Sequence, residues 1–204
     1  MRVAIVDYNM GNLASVKNAF LKIGADPKIV KDPKELKKFD RLVLPGVGAF
    51  GDAISHLYQY NLIEPILEFA NSKKPLLGIC LGMQLLFDKS YEFGEHKGLG
   101  LIDGEVVPFD KKRFDRPLKV PHMGWNTLFV QKKTKLFKDL GKSFYLYFVH
   151  SYHAVCDEEY IIGKSIYGYE FVSAVQKENI FGLQPHPEKS HDNGLQILKN
   201  FMEI

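Results

Sequence analysis

The stretch "PLLGICLGMQ" (75–84) sets one cysteine between two glycines at the end of a short apolar run. A continuous apolar run of this length reads as a strand buried on both faces. The G-x-C-x-G pattern of Gly78, Cys80 and Gly82 then predicts a sharp turn into a helix that opens in "LGMQLLFDK". Strand, turn and helix in that order form the cysteine counterpart of a nucleophile elbow. The glycines allow the tight turn and close backbone packing. A thiol at a helix N-terminus feels the positive end of the dipole, which favours thiolate. The N–H of Leu81, the next residue, is placed to stabilise an oxyanion. The plainer alternative is a buried structural cysteine, which is how Cys156 reads, because it has no such setting.

Upstream of this stretch, strand and helix patterns alternate. "RVAIVDY" (2–8) is a short apolar run rich in β-branched residues. In "GNLASVKNAFLKIG" (11–24), Leu13, Val16, Ala19, Phe20 and Ile23 recur at helical spacing and Gly24 is a stop signal. "PKIV" (27–30) and "RLVLPG" (41–46) are further strands, with helices expected over about 52–60 and 62–72. This alternation predicts a parallel sheet covered by helices on both faces. From about Gly98 the pattern changes. "GEVVPF", "NTLFVQ", "FYLYFVHSY", "EYIIGKSIYG" and "FVSAVQKENIFGLQ" read as strands without intervening helices, with a hairpin turn in "QKEN" (176–179), and "GLQILKNFME" closes the chain as a helix. The expected fold is α/β, a doubly wound, mostly parallel sheet with an antiparallel extension in the second half.

At 204 residues the chain is expected to be a single domain spanning 1–204, long enough to bury a substantial core. A net charge of +3 is too mild to suggest a nucleic-acid partner, so the lysine clusters at 31–38, 111–119 and 132–138 read as solvated faces. No apolar run approaches membrane-spanning length. The N-terminal run meets Asp7 too early for a secretory leader. A reducing, cytoplasmic setting with Cys80 and Cys156 as free thiols follows as the expectation.

A cysteine nucleophile needs a base, and the candidates are His56, His96, His122, His150, His153, His186 and His191. In "GLQPHPEKS" (182–190), Pro185 and Pro187 flank His186 at the end of an apolar strand. Prolines end the sheet ladder and push Gln184 and His186 toward extended geometry. Two residues apart on extended chain, His186 and Glu188 face the same side, which predicts a Cys–His–Glu arrangement. "PGVGAFG" (45–51) satisfies G-x-G-x-x-G, yet it follows the third strand and lacks an acidic residue at a strand end about twenty residues on. Its glycines suit instead a loop presenting N–H groups to an oxyanion. His150 and His153 are three apart without a Cys or carboxylate cluster, so no metal site is expected.

Three ordered blocks, "PGVGAFG", "GICLGMQ" and "HPEKS", resemble class I (triad) glutamine amidotransferases over nearly the whole chain. "DYNMGN" (7–12), "KVPHMGWN" (119–126) and "YFVHSYH" (147–153) are similar to the glutaminase subunits of imidazole glycerol phosphate synthases within that class. The resemblance implies glutamine hydrolysis through a thioester on Cys80, with His186 as acid and base and Glu188 holding it. It implies oxyanion donors at Leu81 and in the loop Gly46-Val47-Gly48, chiefly Val47. It implies glutamine contacts at Gly46, Gln84, Glu92, Ser151 and Tyr152, and no cofactor. It further implies a heterodimer with a cyclase subunit, a (β/α)8 barrel that takes the ammonia, with Asn12, Tyr147 and Lys189 near the interface. Two alternatives stand beside it: a paralogous subunit feeding bacterial surface-sugar amidination, and a non-catalytic regulator on the same fold. One position departs from the family pattern: residue 185, usually phenylalanine, is Pro185 here.

Overall fold

The computed structural model describes residues 1–204. Strand β1 (Arg2–Val6) leads to helix α1 (Leu13–Lys22), then β2 (Asp26–Val30) and β3 (Arg41–Gly46). Helices α2 (Phe50–Gln59) and α3 (Ile63–Asn71) precede β4 (Leu76–Cys80) and the single turn α4 (Leu81–Gln84). The second half runs β5 (Phe87–Ser90), β6 (His96–Lys97), β7 (Ile102–Pro108), β8 (His122–Val130), β9 (Ser143–His150) and β10 (Tyr152–Cys156). Strands β11 (Ile161–Tyr167), β12 (Tyr169–Lys177) and β13 (Ile180–Leu183) then lead to α5 (His191–Glu203).

All these strands join one sheet in the order β2-β1-β3-β4-β13-β12-β10-β7-β5-β6, with β11, β8 and β9 branching from β12. The first five are parallel, and β12 turns the sheet antiparallel through the hairpin with β13. Alternation along the strands divides the core in two. Ala4, Val6, Leu42, Leu44 and Leu76 point to the face covered by α2 and α3. Val3, Ile5, Val43, Leu77 and Ile79 point to the face covered by α1 and α5. Burial on both sides explains why β3 and β4 read as unbroken apolar runs rather than alternating ones.

Two expectations need correction. The helix expected in "LGMQLLFDK" stops after one turn, and Phe87–Ser90 continues as a strand. Leu85, Leu86 and Phe87 are all fully buried, so the run is enclosed on every side and carries no helical stripe. The second half is mostly antiparallel as expected, with β5 and β7 paired in parallel. The run "FYLYFVHSY" breaks at Ser151, between β9 and β10.

The carboxyl ends of β3, β4 and β13 meet at one end of the sheet, where Gly46 pairs with Cys80 and Leu183 with Ile79. Open parallel sheets bind ligands at that end. The approach of α4 to β3 depends on Gly82, where an added Cβ would lie 1.8 Å from the Leu44 carbonyl oxygen. Gly78 is constrained in turn by the Gly82 carbonyl oxygen, 2.6 Å from its would-be Cβ. Both obstructions are backbone atoms of the central sheet or the elbow, which cannot yield as a side chain can. Gly82→Ala is therefore expected to destabilise the protein by at least ~2 kcal/mol, by overpacking. Urea unfolding measures this, and a midpoint equal to wild type would contradict the packing argument.

Candidate functional site

Cys80 ends β4 with φ 54° and ψ −112°, a left-handed conformation for a residue with a Cβ. Such backbone costs about 1–3 kcal/mol and persists only where its surroundings impose it. Here the imposition comes from β4 on one side and the α4 turn, wedged against β3 through Gly82, on the other. The result turns the Cys80 side chain out of the sheet and into a cavity of about 240 Å³, lined by Val47, Gly48, Leu81, Gln84, Glu92 and His186 among others. Drug-sized pockets start near 300 Å³, so this one suits a small molecule. The dipole argument for the thiol weakens, because α4 has only one turn. What remains at the sulfur is local: the thiol points to the Val149 carbonyl at 3.7 Å and accepts from Gln184 Nε2 at 3.7 Å.

His186 follows β13 and is 2% exposed. Its backbone N–H donates to the Tyr147 carbonyl at 2.8 Å, tying it to β9. Nδ1 bonds Glu188 Oε1 at 2.7 Å, with both side chains almost fully buried. The route to this contact differs from the extended geometry expected. Pro187 begins a 3-10 turn, Pro187–Lys189, because its fixed φ suits the first position of a helical turn. The carboxylate thus reaches back over one tight turn rather than along a strand. Nε2 is buried on the Cys80 side and closes no hydrogen bond, as is also true of Glu188 Oε2. Burial alone would push the imidazole down. Interaction with the neighbouring Cys80 sulfur and with the Glu188 carboxylate outweighs it and raises His186 well above the usual histidine range. Pro185 costs the strand end one N–H, and β13 stays anchored because Gln184 N–H donates to the Ser173 carbonyl at 2.9 Å.

The loop after β3 completes the wall opposite His186. Gly48 sits at φ +102°, Val47 is 41% exposed, and both border the cavity. The amides of Val47 and Gly48 donate to no carbonyl of the chain. Gly46 lies behind them, packed on Tyr8, Leu81 and Gly82, and does not border the cavity. Glu92 borders it and also caps α2, accepting from the Phe50 N–H at 2.7 Å, in place of the missing side-chain cap at Ala49. Burial raises its carboxyl, partly offset by that N–H. Ser151 and Tyr152 line the far side. Gln84 directs its Nε2 to the Tyr152 carbonyl at 3.1 Å and to Gln184 Oε1 at 3.0 Å.

Three further residues lie outside the cavity. Asn12 caps α1, accepting from the Ser15 N–H at 3.2 Å, and α1 packs against the 187–189 turn. The Lys189 ammonium stands 5.9 Å from the centre of the Tyr147 ring. Tyr147 and Lys189 thus stand together at the turn that follows His186, and Asn12 caps the helix that packs on this turn.

Two residues with clear places in the geometry are not among the site residues expected from the sequence. Tyr8 is fully buried and donates to the Pro45 carbonyl at 2.7 Å, which holds the base of the glycine loop. Gln184, also fully buried, joins Gln84 to the Cys80 sulfur. Nothing in single residues of these types announces a site; a tyrosine or glutamine acquires its task from what folds against it. His150 and His153, weighed above as metal ligands, are instead spent on carbonyl and side-chain partners.

Known proteins resemble this chain along its whole length. The family described as "Glutamine amidotransferase class-I" matches residues 4–204. A protein of Wolinella succinogenes named "Imidazole glycerol phosphate synthase subunit HisH" is 63% identical over 203 residues, 99% of each chain. One of the same name from Sulfurimonas denitrificans is 66% identical, covering 98% of this chain and 96% of the other. Among solved structures, one titled "Structure of PurLQS from Thermotoga maritima" superposes with a TM-score of 0.78 over 99% of this chain and 97% of that one. Its identity of 20% makes it a match of fold. Sequence and fold thus agree in assigning the chain to the class I glutamine amidotransferases, and within them it belongs to the family of HisH subunits of imidazole glycerol phosphate synthase.

Proposed function

We propose that this chain is the glutaminase subunit of an imidazole glycerol phosphate synthase, hydrolysing glutamine to glutamate and ammonia in one domain spanning residues 1–204. The observation that carries the reading is a strained elbow cysteine that shares a small cavity with a buried His186–Glu188 pair. The near two-thirds identity to HisH subunits over full length favours the histidine branch over the sugar-amidination alternative. The unbroken Cys80, His186 and Glu188 constellation argues against a non-catalytic regulator.

In the proposed reaction the Cys80 thiolate attacks the side-chain amide carbon of glutamine, forming a C–S bond and a tetrahedral oxyanion. The amides of Leu81 and Val47 are the donors assigned to that oxygen, since charge developing in a dry site is best met by fixed N–H groups. His186, held protonated by its neighbours, gives the Nε2 proton to the departing nitrogen; the C–N bond breaks and ammonia leaves. The neutral imidazole then takes a proton from water, whose oxygen attacks the thioester. Glutamate departs as the C–S bond breaks, and the thiolate–imidazolium pair is restored. Glu92, Ser151 and Tyr152 are assigned to the α-amino-acid end of glutamine, and Gln84 to the substrate contact beside Cys80. A buried zwitterion needs such matched polar groups.

The subunit name shared by the relatives supports an obligate partner. The proposal gives this partner as a cyclase with a (β/α)8 barrel that receives the ammonia in a heterodimer. Asn12, Tyr147 and Lys189 are assigned to its interface, beside Trp125, whose exposed ring lies 6.1 Å from that of Tyr147 and stacks on His191. No helix is long and apolar enough to cross a membrane, and the setting proposed is the cytoplasm.

Glutaminase activity of the purified chain, alone and with its barrel subunit and nucleotide ligand, tests the reading. Near-silence alone, strong stimulation by the partner and loss in Cys80→Ala are expected; wild-type turnover in Cys80→Ala would sink the assignment. A second measurement addresses Glu188. Removing its charge takes away an anion that favours the imidazolium, so the sign is downward: Glu188→Gln should lower the His186 pKa by about one unit or more, one charged hydrogen bond's worth. Histidine NMR titration reads this directly, and an unchanged titration would show that Glu188 does not hold the base.

A further inference from the structure

The block "KVPHMGWN" contributes two side chains to a hydrogen-bonded line that the reaction above does not use. Asn126, on β8, sets its direction. Its Oδ1 accepts from the Thr127 N–H at 2.7 Å, and its Nδ2 donates to the Ile166 carbonyl at 2.9 Å. The amide cannot be reversed without losing both bonds. The same Nδ2 lies 3.2 Å from His122 Nε2, which must therefore accept. A neutral imidazole that accepts at one nitrogen donates at the other. His122 Nδ1 thus donates to His150 Nε2 at 2.9 Å, and His150 Nδ1 donates to the Tyr152 carbonyl at 2.8 Å. That carbonyl also receives Gln84 Nε2, and Gln84 leads through Gln184 to the Cys80 sulfur.

Both imidazoles are buried, and burial lowers His122 to about 4 and His150 well below its usual value, so each stays neutral. His122 is clamped between the rings of Tyr167 and Phe148, with centroids at 4.1 and 5.0 Å. His150 itself borders the cavity.

Resting on the glutaminase reading, we propose that His122 is a positioning residue for the glutamine site, acting through His150 on the Tyr152 carbonyl and Gln84. It touches neither substrate nor sulfur. By donating to His150 Nε2 it forces the Nδ1–H tautomer on that ring, and only this tautomer can hold the Tyr152 carbonyl. With the line broken, His150 is free to turn its proton to Nε2. The Ser151–Tyr152 segment and Gln84 then lose a fixed anchor on the side of the cavity assigned to the amino-acid end of glutamine. A loss there weakens substrate binding more than the chemistry at Cys80.

Two measurements test this. In histidine-labelled wild-type chain, nitrogen NMR should find two imidazoles neutral at pH 7 as Nδ1–H tautomers, assigned by their absence in His122→Phe and His150→Phe. Either ring found as Nε2–H or protonated would overturn the proposal, whatever the activity. In the complex with the barrel subunit, His122→Phe keeps the ring stack and removes the donor. It should raise the KM for glutamine about 10-fold, the worth of one buried hydrogen bond, with kcat falling less than about threefold. His122→Gln, which can both accept and donate, should recover most of that loss. An unchanged KM in His122→Phe, or equal losses in both variants, would overturn the positioning role. Failure of the glutaminase reading would look different: wild-type complex would then not turn over glutamine at all.

Discussion

A backbone contact between the α4 turn and β3 governs the geometry of everything at the carboxyl end of the sheet. With no side chain at Gly82, the turn after Cys80 comes within reach of the Leu44 carbonyl, and Cys80 is left at positive φ between two elements that cannot relax. Because Gly46 pairs with Cys80, the same contact brings the glycine loop beside the sulfur. Because β13 pairs with β4, it also brings His186 to the opposite wall. Strain of about 1–3 kcal/mol at one residue is small against the burial of the sheet on both faces, which is why the fold can sustain it.

Electrostatics at the site follow from the same enclosure. A dry cavity would leave an isolated imidazole neutral. Only the combined pull of the Cys80 sulfur on one side and a buried carboxylate on the other raises His186 above the usual histidine range. The other buried histidines show the contrast. His122 and His150 have aromatic rings and each other for neighbours, no anion, and remain neutral. One residue type is thus raised in one corner and lowered in another. The difference lies in the neighbours: the Cys80 sulfur and the Glu188 carboxylate stand beside His186.

Glu92 and Tyr8 give the glycine loop a support at each end. Tyr8 holds the Pro45 carbonyl before the loop, and Glu92 caps the Phe50 amide after it, while Val47 and Gly48 between them make no hydrogen bonds within the chain. The segment between the two supports is therefore short and bounded. Glu92 also borders the cavity, so a ligand cation there would bear on the same carboxylate that caps α2.

The order of strands and helices in the first half, the hairpin turn in 176–179, the elbow cysteine and the histidine between prolines were all readable from residue pattern. Each depends on local spacing: apolar runs, turn residues and glycines a fixed distance apart. The early end of α4 was not readable, because an apolar run enclosed on all sides looks alike as helix or strand. Nor was the 3-10 turn that swings Glu188 onto His186, since a proline after an extended residue permits both continuations. By itself the sequence determined where the cysteine, the histidine and the carboxylate stand along the chain and where it must bend. The tertiary structure alone decided that Tyr8, Gln184, His122 and His150 belong with them. Those contacts join residues 28 to 104 positions apart, and no local pattern encodes a hydrogen bond across that distance.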